Sequence, residues 1–536
     1  MANADDIHHH DAIVIGAGFS GLYALHKLRD ELDLDVRVIE KGNDIGGTWY
    51  WNRYPGARCD SESYYYSYSF SPEIEQEWTW TERYPDHHEI RRYLGFVADR
   101  LDLRRGIDLS TEVLGASFDE ADALWRVRTD GATYVAPILI TAVGCLSAAN
   151  VPAVPGLQSF AGRWYHTGAW PHEGVDLSGK RVGQVGTGST GIQLAPAIAE
   201  EVARLTVFQR TANYSVPARN APLTDDFLRE VKANYRAIRE HARRVTNGHP
   251  FDISDVGVLE VDDAERLARF EEAWRVGGLR FRAVFRDVLT DAKANDVASE
   301  FIRRKIREVV QDPDVADKLT PKDHGFATKR PPIDTNYFET FNRDNVDLVD
   351  LKAEPIEAIV PEGIRTTRRT YPLDVIIFAT GFDALTGPLV ALNLEGCDGL
   401  TLREAWSAGP KTYLGLMTPG FPNLFTITGP GSPSVLCNMP VALEQHVEWI
   451  ADCLAHMRRT GLKRIEPTVE ASEDWVAHVN EAADATLLPM ASSSWYLGAN
   501  VPGKPRVFMP YAGGMARYAG TCEHVADEGY KGFVLT

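Results

Sequence analysis

At 536 residues the chain exceeds what one core organises, and the length implies roughly three to four domains or subdomains. Hydrophobic residues at 44% and charged residues at 24% are the balance of an ordinary soluble globular protein, while a net charge of -19, with no basic tail to offset it, excludes nucleic acid and anionic lipid as natural partners. Six scattered cysteines, Cys59, Cys145, Cys397, Cys437, Cys453 and Cys522, with no CxxC and no ligand-like spacing to histidine, argue against a zinc site or a dithiol redox pair and for a reducing compartment.

The first dozen residues hold Asp5, Asp6 and the run His8 to His10, which lacks the plan of a signal peptide and reads as an exposed polar lead-in, with a weak metal site as the lesser alternative. No apolar run reaches membrane-spanning length, so the cytoplasm and no membrane partner are expected. DAIVIGAGFSGLYALHKL is a short apolar strand running into Gly16, Gly18 and Gly21 and then into a helical pattern. Such a turn presents backbone N–H groups to a pyrophosphate, with glycines where a side chain would block the approach. The next strand, Val36 to Ile39, ends in Glu40, at the offset where a carboxylate accepts hydrogen bonds from an adenosine ribose.

GGTWYWNRYPGARCDSESYYYSYSF, Gly46 to Phe70, is too dense in rings and glycines for a surface loop. The pair Gly46 and Gly47 brings backbone close to a flat ligand, with Thr48 next to it among the cofactor-binding residues; Trp49 and Tyr54 wall the ligand, and Arg58 and Asp60 are the charges nearest it. Trp125 to Thr129 and Pro137 to Ala142 read as strands that close on Gly144 at a sheet edge where the chain leaves its first domain.

FAGRWYHTGAWP, Phe160 to Pro171, follows as an aromatic joint in which Gly162 and Gly168 let the backbone turn under the rings. GKRVGQVGTGSTGIQLAPAIA then repeats the strand, glycine turn and helix, with Gly186, Gly188 and Gly191, and with Ser189 and Thr190 at the helix start. Glu40 stands 24 residues after Gly16, and Arg210 stands 24 after Gly186. A carboxylate suits a free ribose hydroxyl and a guanidinium suits a 2′-phosphate, so the first site fits FAD and the second NADPH, with Thr211 adding a hydroxyl. Hydride then passes from NADPH to flavin. Without paired cysteines, haem ligands or iron–sulfur spacing to receive the electrons, molecular oxygen is left as the acceptor.

From Asp225 to Leu319 the apolar spacing is helical, an insertion expected to cap or shape the substrate side. It leads to Lys329 and Arg330 before the stiff Pro331–Pro332 pair. Either cation can serve the NADPH phosphate, but a permanently charged arginine is the better stabiliser of an oxygen anion. Lys329 is therefore assigned to the cofactor and Arg330 to the chemistry, a division that leans partly on the resemblance below. YPLDVIIFATGFDALTG marks the return to the first domain, and Trp495 in SSSWYLGANVPGK either gates the site or stacks on NADPH. The fold class is α/β, with two Rossmann-like dinucleotide-binding domains and a helical insertion. Residues 1–145 and 379–536 form the FAD domain, 152–222 and 326–378 the NADP domain, and 223–325 the insertion.

With these residues in place the chain resembles the type I Baeyer-Villiger monooxygenases over nearly its whole length. Phe160, Gly162, His166, Trp170 and Pro171 match the family fingerprint FxGxxxHxxxW followed by Pro or Asp. Gly47, Trp49, Tyr54, Pro55, Gly56 and Asp60 match GxWxxxxYPGxxxD, and Ala379 to Gly381 match the ATG turn. The loops around Ser432 to Ser434 look most like the branch acting on phenylacetone and steroids. The resemblance implies tightly bound FAD, reduction by NADPH, a C4a-peroxyflavin, and attack on a ketone to give a tetrahedral adduct that rearranges to an ester or lactone. It implies that Arg330 stabilises peroxide and adduct, that Asp60 supports Arg330, that Arg210, Thr211 and Lys329 hold the NADP phosphate, and that His166 acts in domain movement. A monomer is expected. His87, His88, Pro510, Ala512, Met515 and Ala516 depart from relatives and bear on substrate range. The competing readings are a flavin-containing monooxygenase acting on amines or sulfides, whose fingerprint lacks the Trp170–Pro171 ending, and a redox-sensing flavoprotein without turnover.

Overall fold

A computed structural model describes residues 7–536, so Asp5 and Asp6 lie outside the described residues. Two five-stranded parallel sheets carry the two glycine turns. In the first the order is Leu424–Thr426, Ile138–Thr141, Ala12–Ile15, Val36–Ile39, Ile107–Asp108. In the second it is Val346–Asp350, Arg204–Gln209, Arg181–Val185, Val375–Phe378, Arg163–His166. The inner strands AIVI, ILIT and VIIF are buried at every residue, the continuous apolar run demanded of a parallel strand covered on both faces.

The two sheets repeat each other down to single hydrogen bonds. Gly16 N–H donates to the Ile39 carbonyl at 2.8 Å, and Gly186 N–H to the Phe208 carbonyl at 3.1 Å. Ala142 N–H donates to Ile15 and Ala379 N–H to Val185, both at 2.8 Å. Each glycine turn therefore opens at the carboxyl edge of its sheet, between two neighbouring strands, where open α/β sheets bind ligands.

Pro137 to Ala142 differs from the sheet-edge expectation. Ile138–Thr141 is an interior strand, because Leu424–Thr426 joins it on the side away from Ala12–Ile15. His8 and His9 are exposed, as expected of a polar lead-in, but the segment is also a strand. Ile7–His9 pairs in parallel with Thr133–Ala136 through its main chain, at the edge of a third five-stranded sheet, a mixed one, that includes Leu124–Thr129, Val113–Asp119 and Leu394–Glu395. His10 Nδ1 lies 2.9 Å from Asp35.

Between Arg204–Gln209 and its edge neighbour Val346–Asp350 in the second sheet, the chain forms the helices Asp225–Arg244, Asp263–Val276, Ala292–Val309 and Pro313–Leu319. The longest starts at Thr224, whose hydroxyl caps Phe227 N–H, with Asp225 and Asp226 in its first turn and His241, Arg243 and Arg244 in its last. Its buried stripe, Val231, Tyr235, Arg239 and Ala242, does not face the second sheet. It lies on Tyr64 and Tyr65, and Arg239 binds Glu75, the Tyr65 and Tyr68 carbonyls and Ser67 Oγ. The insertion thus packs on the ring-rich segment of the first domain. Helix Met439–Thr460 covers the other side, packing on Phe19–His26.

Candidate active site

Both glycine turns open into one cavity of about 1250 Å³. Of the residues named from sequence, Gly16, Gly18, Glu40, Gly47, Thr48, Trp49, Tyr54, Asp60, Gly186, Gly188, Ser189, Thr190, Arg210, Thr211, Lys329, Arg330 and Trp495 line it. Gly21 and Gly191 sit behind the wall. A Cβ on them would fall 1.8 Å from the Gly16 carbonyl oxygen and 2.3 Å from that of Gly186, so each allows its helix to close on its turn. Gly47, at φ +53°, approaches Gly18 so closely that a Cβ would stand 2.8 Å from the Gly18 Cα. The second fingerprint leaves open space at Gly188, where a Cβ would meet nothing within 4 Å. Both turns are cradles shaped for a pyrophosphate on a helix N-terminus.

Glu40 is buried and held by two backbone donors, Ala17 N–H at 2.8 Å and Gly42 N–H at 2.7 Å, which fixes its carboxylate at the cavity wall. In the second turn the matching charge is positive. Arg210 is exposed and Lys329 half-buried, and among the described residues neither pairs with a carboxylate within 4 Å. Burial lowers the Lys329 pKa; Asp323 opposes the shift, and Arg210 and Lys352 add to it. Asp323 is itself bound to Lys352 and His324. Two uncommitted cations on one wall fit a phosphate dianion.

Tyr54 lines the cavity, but it belongs to the core of the second domain and donates its hydroxyl to Gln193 at 2.7 Å. Gln193 in turn donates to the Arg58 carbonyl at 3.0 Å, and at Gly56 (φ +82°) a Cβ would lie 2.5 Å from the Gln193 carbonyl oxygen. The YPG segment is therefore the seam of the two domains rather than only a ligand wall. The Arg58 guanidinium is committed to Glu82 at 2.9 Å, leaving Asp60 as the charge of this segment available on the cavity.

Asp60 accepts two parallel hydrogen bonds from Arg330, Nε at 2.9 Å and Nη2 at 2.7 Å, and Arg330 Nη1 donates to the Val435 carbonyl at 2.7 Å. Burial opposes the charge on each partner, but the pair outweighs it: the Asp60 pKa is lowered and that of Arg330 raised. Around them stand residues that carried no motif. His249 Nδ1 meets the Asn247 carbonyl at 2.9 Å and so holds the proton there, leaving Nε2 to accept from Ser61 Oγ at 3.2 Å. Burial, with the charges of Arg330 and Arg282, pushes His249 down to about 3, so it is neutral. Burial raises Cys145 to about 11 and Cys437 to about 12, keeping both as thiols. Arg282 and Tyr496 are close enough to act through charge on the Arg330–Asp60 pair, but neither lines the cavity. Val435, His249 and Arg282 come from bends or single helical turns whose spacing gives no signal, and only their convergence identifies them.

The connector runs beside the cavity, which it lines through Gly168 and Ala169 rather than through its rings. Phe160 and Trp170 are buried in separate cores. Gly162 and Gly168 differ from expectation, since neither adopts positive φ. They permit close approach instead: a Cβ would lie 2.3 Å from the Asp374 carbonyl oxygen at Gly162 and 2.6 Å from the Phe382 ring at Gly168. His166 ends the edge strand opposite Phe378, accepts Gly168 N–H on Nδ1 at 3.0 Å, and has a buried Nε2 without a hydrogen-bond partner among the described residues. Pro171 follows Trp170, whose carbonyl accepts from Arg53 of the first domain at 3.1 Å. Trp495 packs edge-on against Tyr496 at 4.5 Å. Pro510, Ala512, Met515 and Ala516 do not line the cavity; the segment is tied behind it by Tyr511 N–H donating to the Ser432 carbonyl at 2.8 Å. His87 is buried at the start of helix His87–Arg100, and burial and His88 lower it to about 4.

Residues 13–252 match the family model described as pyridine nucleotide-disulphide oxidoreductase. All six cysteines are free, so the likeness lies in the nucleotide folds. A Baeyer-Villiger monooxygenase of Pseudooceanicola batsensis is 48% identical over 98% of this chain and 96% of its own. The acetone monooxygenase (methyl acetate-forming) of Gordonia sp. is 44% identical over 98% and 99%. Among solved structures, oxidized steroid monooxygenase bound to NADP superposes with a TM-score of 0.94 at 52% identity, covering 98% of this chain and 99% of that one. With two matched nucleotide cradles meeting at a half-buried Arg330–Asp60 pair and relatives this similar from end to end, the chain belongs to the Baeyer-Villiger monooxygenase family.

Proposed function

We propose that the protein is an NADPH- and oxygen-dependent flavoprotein that inserts one oxygen atom beside the carbonyl of a ketone, giving an ester or lactone. FAD sits in the first cradle, with its ribose on Glu40, and NADPH in the second, with its 2′-phosphate between Arg210, Thr211 and Lys329. When bound, the flavin supplies the ring that takes hydride from NADPH and activates oxygen. The chain's own residues do the rest. The observation that carries the reading is the bidentate Arg330–Asp60 pair at the meeting place of the two cradles. Arginine has five N–H donors, and three are committed to Asp60 and Val435. Two remain to bind oxygen-centred negative charge as it develops on the reacting atoms, and a group that never deprotonates holds that charge at any working pH. Asp60 fixes the plane of the guanidinium. His249, neutral and locked between Asn247 and Ser61, keeps the adjacent backbone in place without adding charge. His166, Trp170 and Pro171 couple the two domains rather than touch the reacting atoms.

The helical insertion shapes the substrate side, delivering His249 and Arg282 toward Arg330. No helix among the described residues is long and apolar enough to cross a membrane. With its acidic charge and free cysteines, a cytoplasmic monomer is the state we assign, read out by a native mass near the 59.5 kDa of one chain. The deciding experiment offers a ketone and a sulfide together, with oxygen uptake and NADPH loss followed in parallel. Ester with matched NADPH consumption is expected; sulfoxide alone, with no ester from any ketone, sinks the reading.

A further inference from the structure

The described methionines divide by what surrounds the sulfur. Met417, Met457, Met509 and Met515 are buried in hydrophobic cores, where an unbranched thioether fills the gaps between larger side chains. Met490 is 69% exposed to solvent. Met439 alone among them belongs to neither group: it is half-buried and lines the cavity into which both glycine turns open.

Its place on that wall is fixed from two directions. Met439 is the first residue of helix Met439–Thr460, and Asn438 before it is anchored through its N–H to the Asn247 carbonyl at 2.9 Å and through its side-chain amide to the Tyr65 carbonyl at 3.0 Å. The helix packs on the turn Ser434–Leu436, and the Met439 side chain packs on the apolar cluster that contains Cys145 and Val435. The Val435 carbonyl is the one that receives Arg330 Nη1 at 2.7 Å. Met439, Val435, Cys145, Cys437 and Arg330 all line the same cavity. The thioether therefore stands at the cavity surface, beside the loop that holds Arg330.

Oxygen transfer to sulfur requires an accessible lone pair. Burial keeps Cys145 and Cys437 as thiols and so denies them their nucleophilic form. A thioether has no such dependence on protonation, and its oxidation product is the sulfoxide.

We propose that Met439 is a modification site: when no ketone occupies the cavity, the oxygen activated there is transferred to the Met439 sulfur, giving methionine sulfoxide. The inference rests on the oxygenating function proposed above and adds an acceptor within the chain itself. One atom of molecular oxygen forms the new S–O bond as the O–O bond breaks, and the other leaves as water. Sulfur loses two electrons and NADPH supplies two more, so that methionine, molecular oxygen, NADPH and a proton give methionine sulfoxide, NADP+ and water. The sulfoxide puts a polar, chiral group on an apolar stretch of the wall, and ketone binding weakens.

The test cycles the FAD-loaded enzyme with NADPH under isotopically heavy oxygen gas, with catalase and without ketone, and locates the label by peptide mass spectrometry. Met439 is expected to gain one heavy oxygen atom. Met490 should stay nearly unlabelled, because catalase removes peroxide released to solvent, and so should the methionines of the cores. A saturating ketone should suppress the label at Met439, and ester formation assayed after ketone-free cycling should fall in step with the fraction of sulfoxide. Met439→Leu should keep a larger share of its own starting activity through the same cycling, a comparison that cancels any direct effect of the substitution on binding. Label on Cys145 or Cys437 in place of Met439, label as heavy on Met490 as on Met439, or an unlabelled Met439 in enzyme that converts ketone to ester overturns the proposal. Failure to form ester from any ketone would instead overturn the function on which it rests.

Discussion

Arg330 and Asp60 hold each other, yet the two substitutions that part them have different consequences. Arg330→Ala removes the positive charge from the reacting atoms, and ester formation should fall by at least about 3 kcal/mol in the transition state while NADPH still reduces the flavin. Rapid-mixing absorbance of the flavin together with product analysis separates the two steps. Asp60→Ala leaves the charge but frees its plane, so activity falls less while stability drops by about 3 kcal/mol, since a half-buried guanidinium loses its carboxylate; thermal melting reads this directly. Arg210→Ala should weaken NADPH far more than NADH, because only the former carries the 2′-phosphate we assign to Arg210, and equal effects on KM for both would show that the residue does not meet that phosphate. Glu40, Arg210, Asp60 and Arg330 were legible because glycine turns fix their offsets and motifs fix their neighbours. His249, Val435, Tyr496 and Arg282 were not, because each stands on a bend or a single helical turn, too short for a periodic pattern, and approaches Arg330 only through tertiary packing. Tyr54 was legible as a wall but not as the donor to Gln193 that ties the domains.

Helix Met439–Thr460 contributes one buried acid to the junction of three segments. Glu444 accepts Ser69 N–H at 2.6 Å and the Ser69 hydroxyl, with Arg243 of the insertion 3.7 Å away. Burial pushes its carboxyl up to about 7, against the bonds from Ser69 and the charge of Arg239. A carboxyl whose folded pKa lies above its unfolded value contributes stability that is full below the ordinary glutamate range and is lost as pH rises through about 7. Glu444→Gln should therefore flatten the decline of melting temperature across that window and leave the variant the more stable form on its alkaline side. An identical slope in both proteins would show that Glu444 is ionised throughout. Elements announced by glycine turns or by helical spacing were readable in the chain. Ile7–His9 was not, because main-chain pairing to Thr133–Val135 asks nothing of its side chains. The interior place of Ile138–Thr141 was hidden for another reason: its outer neighbour, Leu424–Thr426, is supplied from far along the sequence.

At the scale of the whole molecule, the two sheets are each closed by a strand that arrives late. Val375–Phe378 enters the second sheet between Arg181–Val185 and Arg163–His166, so the fingerprint strand has no neighbour until residue 378 is in place. Contacts separated by this much chain close slowly. A fragment ending before Val375 should consequently keep neither the second sheet nor affinity for NADPH, measured by hydrogen exchange at Val182 to Val185 and by dye displacement; protected amides there would show that the sheet forms without this inner strand. Biosynthesis meets the same geometry in time. A nascent chain must carry Ile138–Thr141 with one bare edge until Leu424–Thr426 leaves the ribosome, and Arg163–His166 with no partner at all for the more than two hundred residues before Val375–Phe378. Apolar strands with open edges are templates for association. Yield in a cell is therefore set by what shelters those edges during translation, and slowing elongation across the helical insertion should lengthen their exposure and lower the fraction of soluble enzyme.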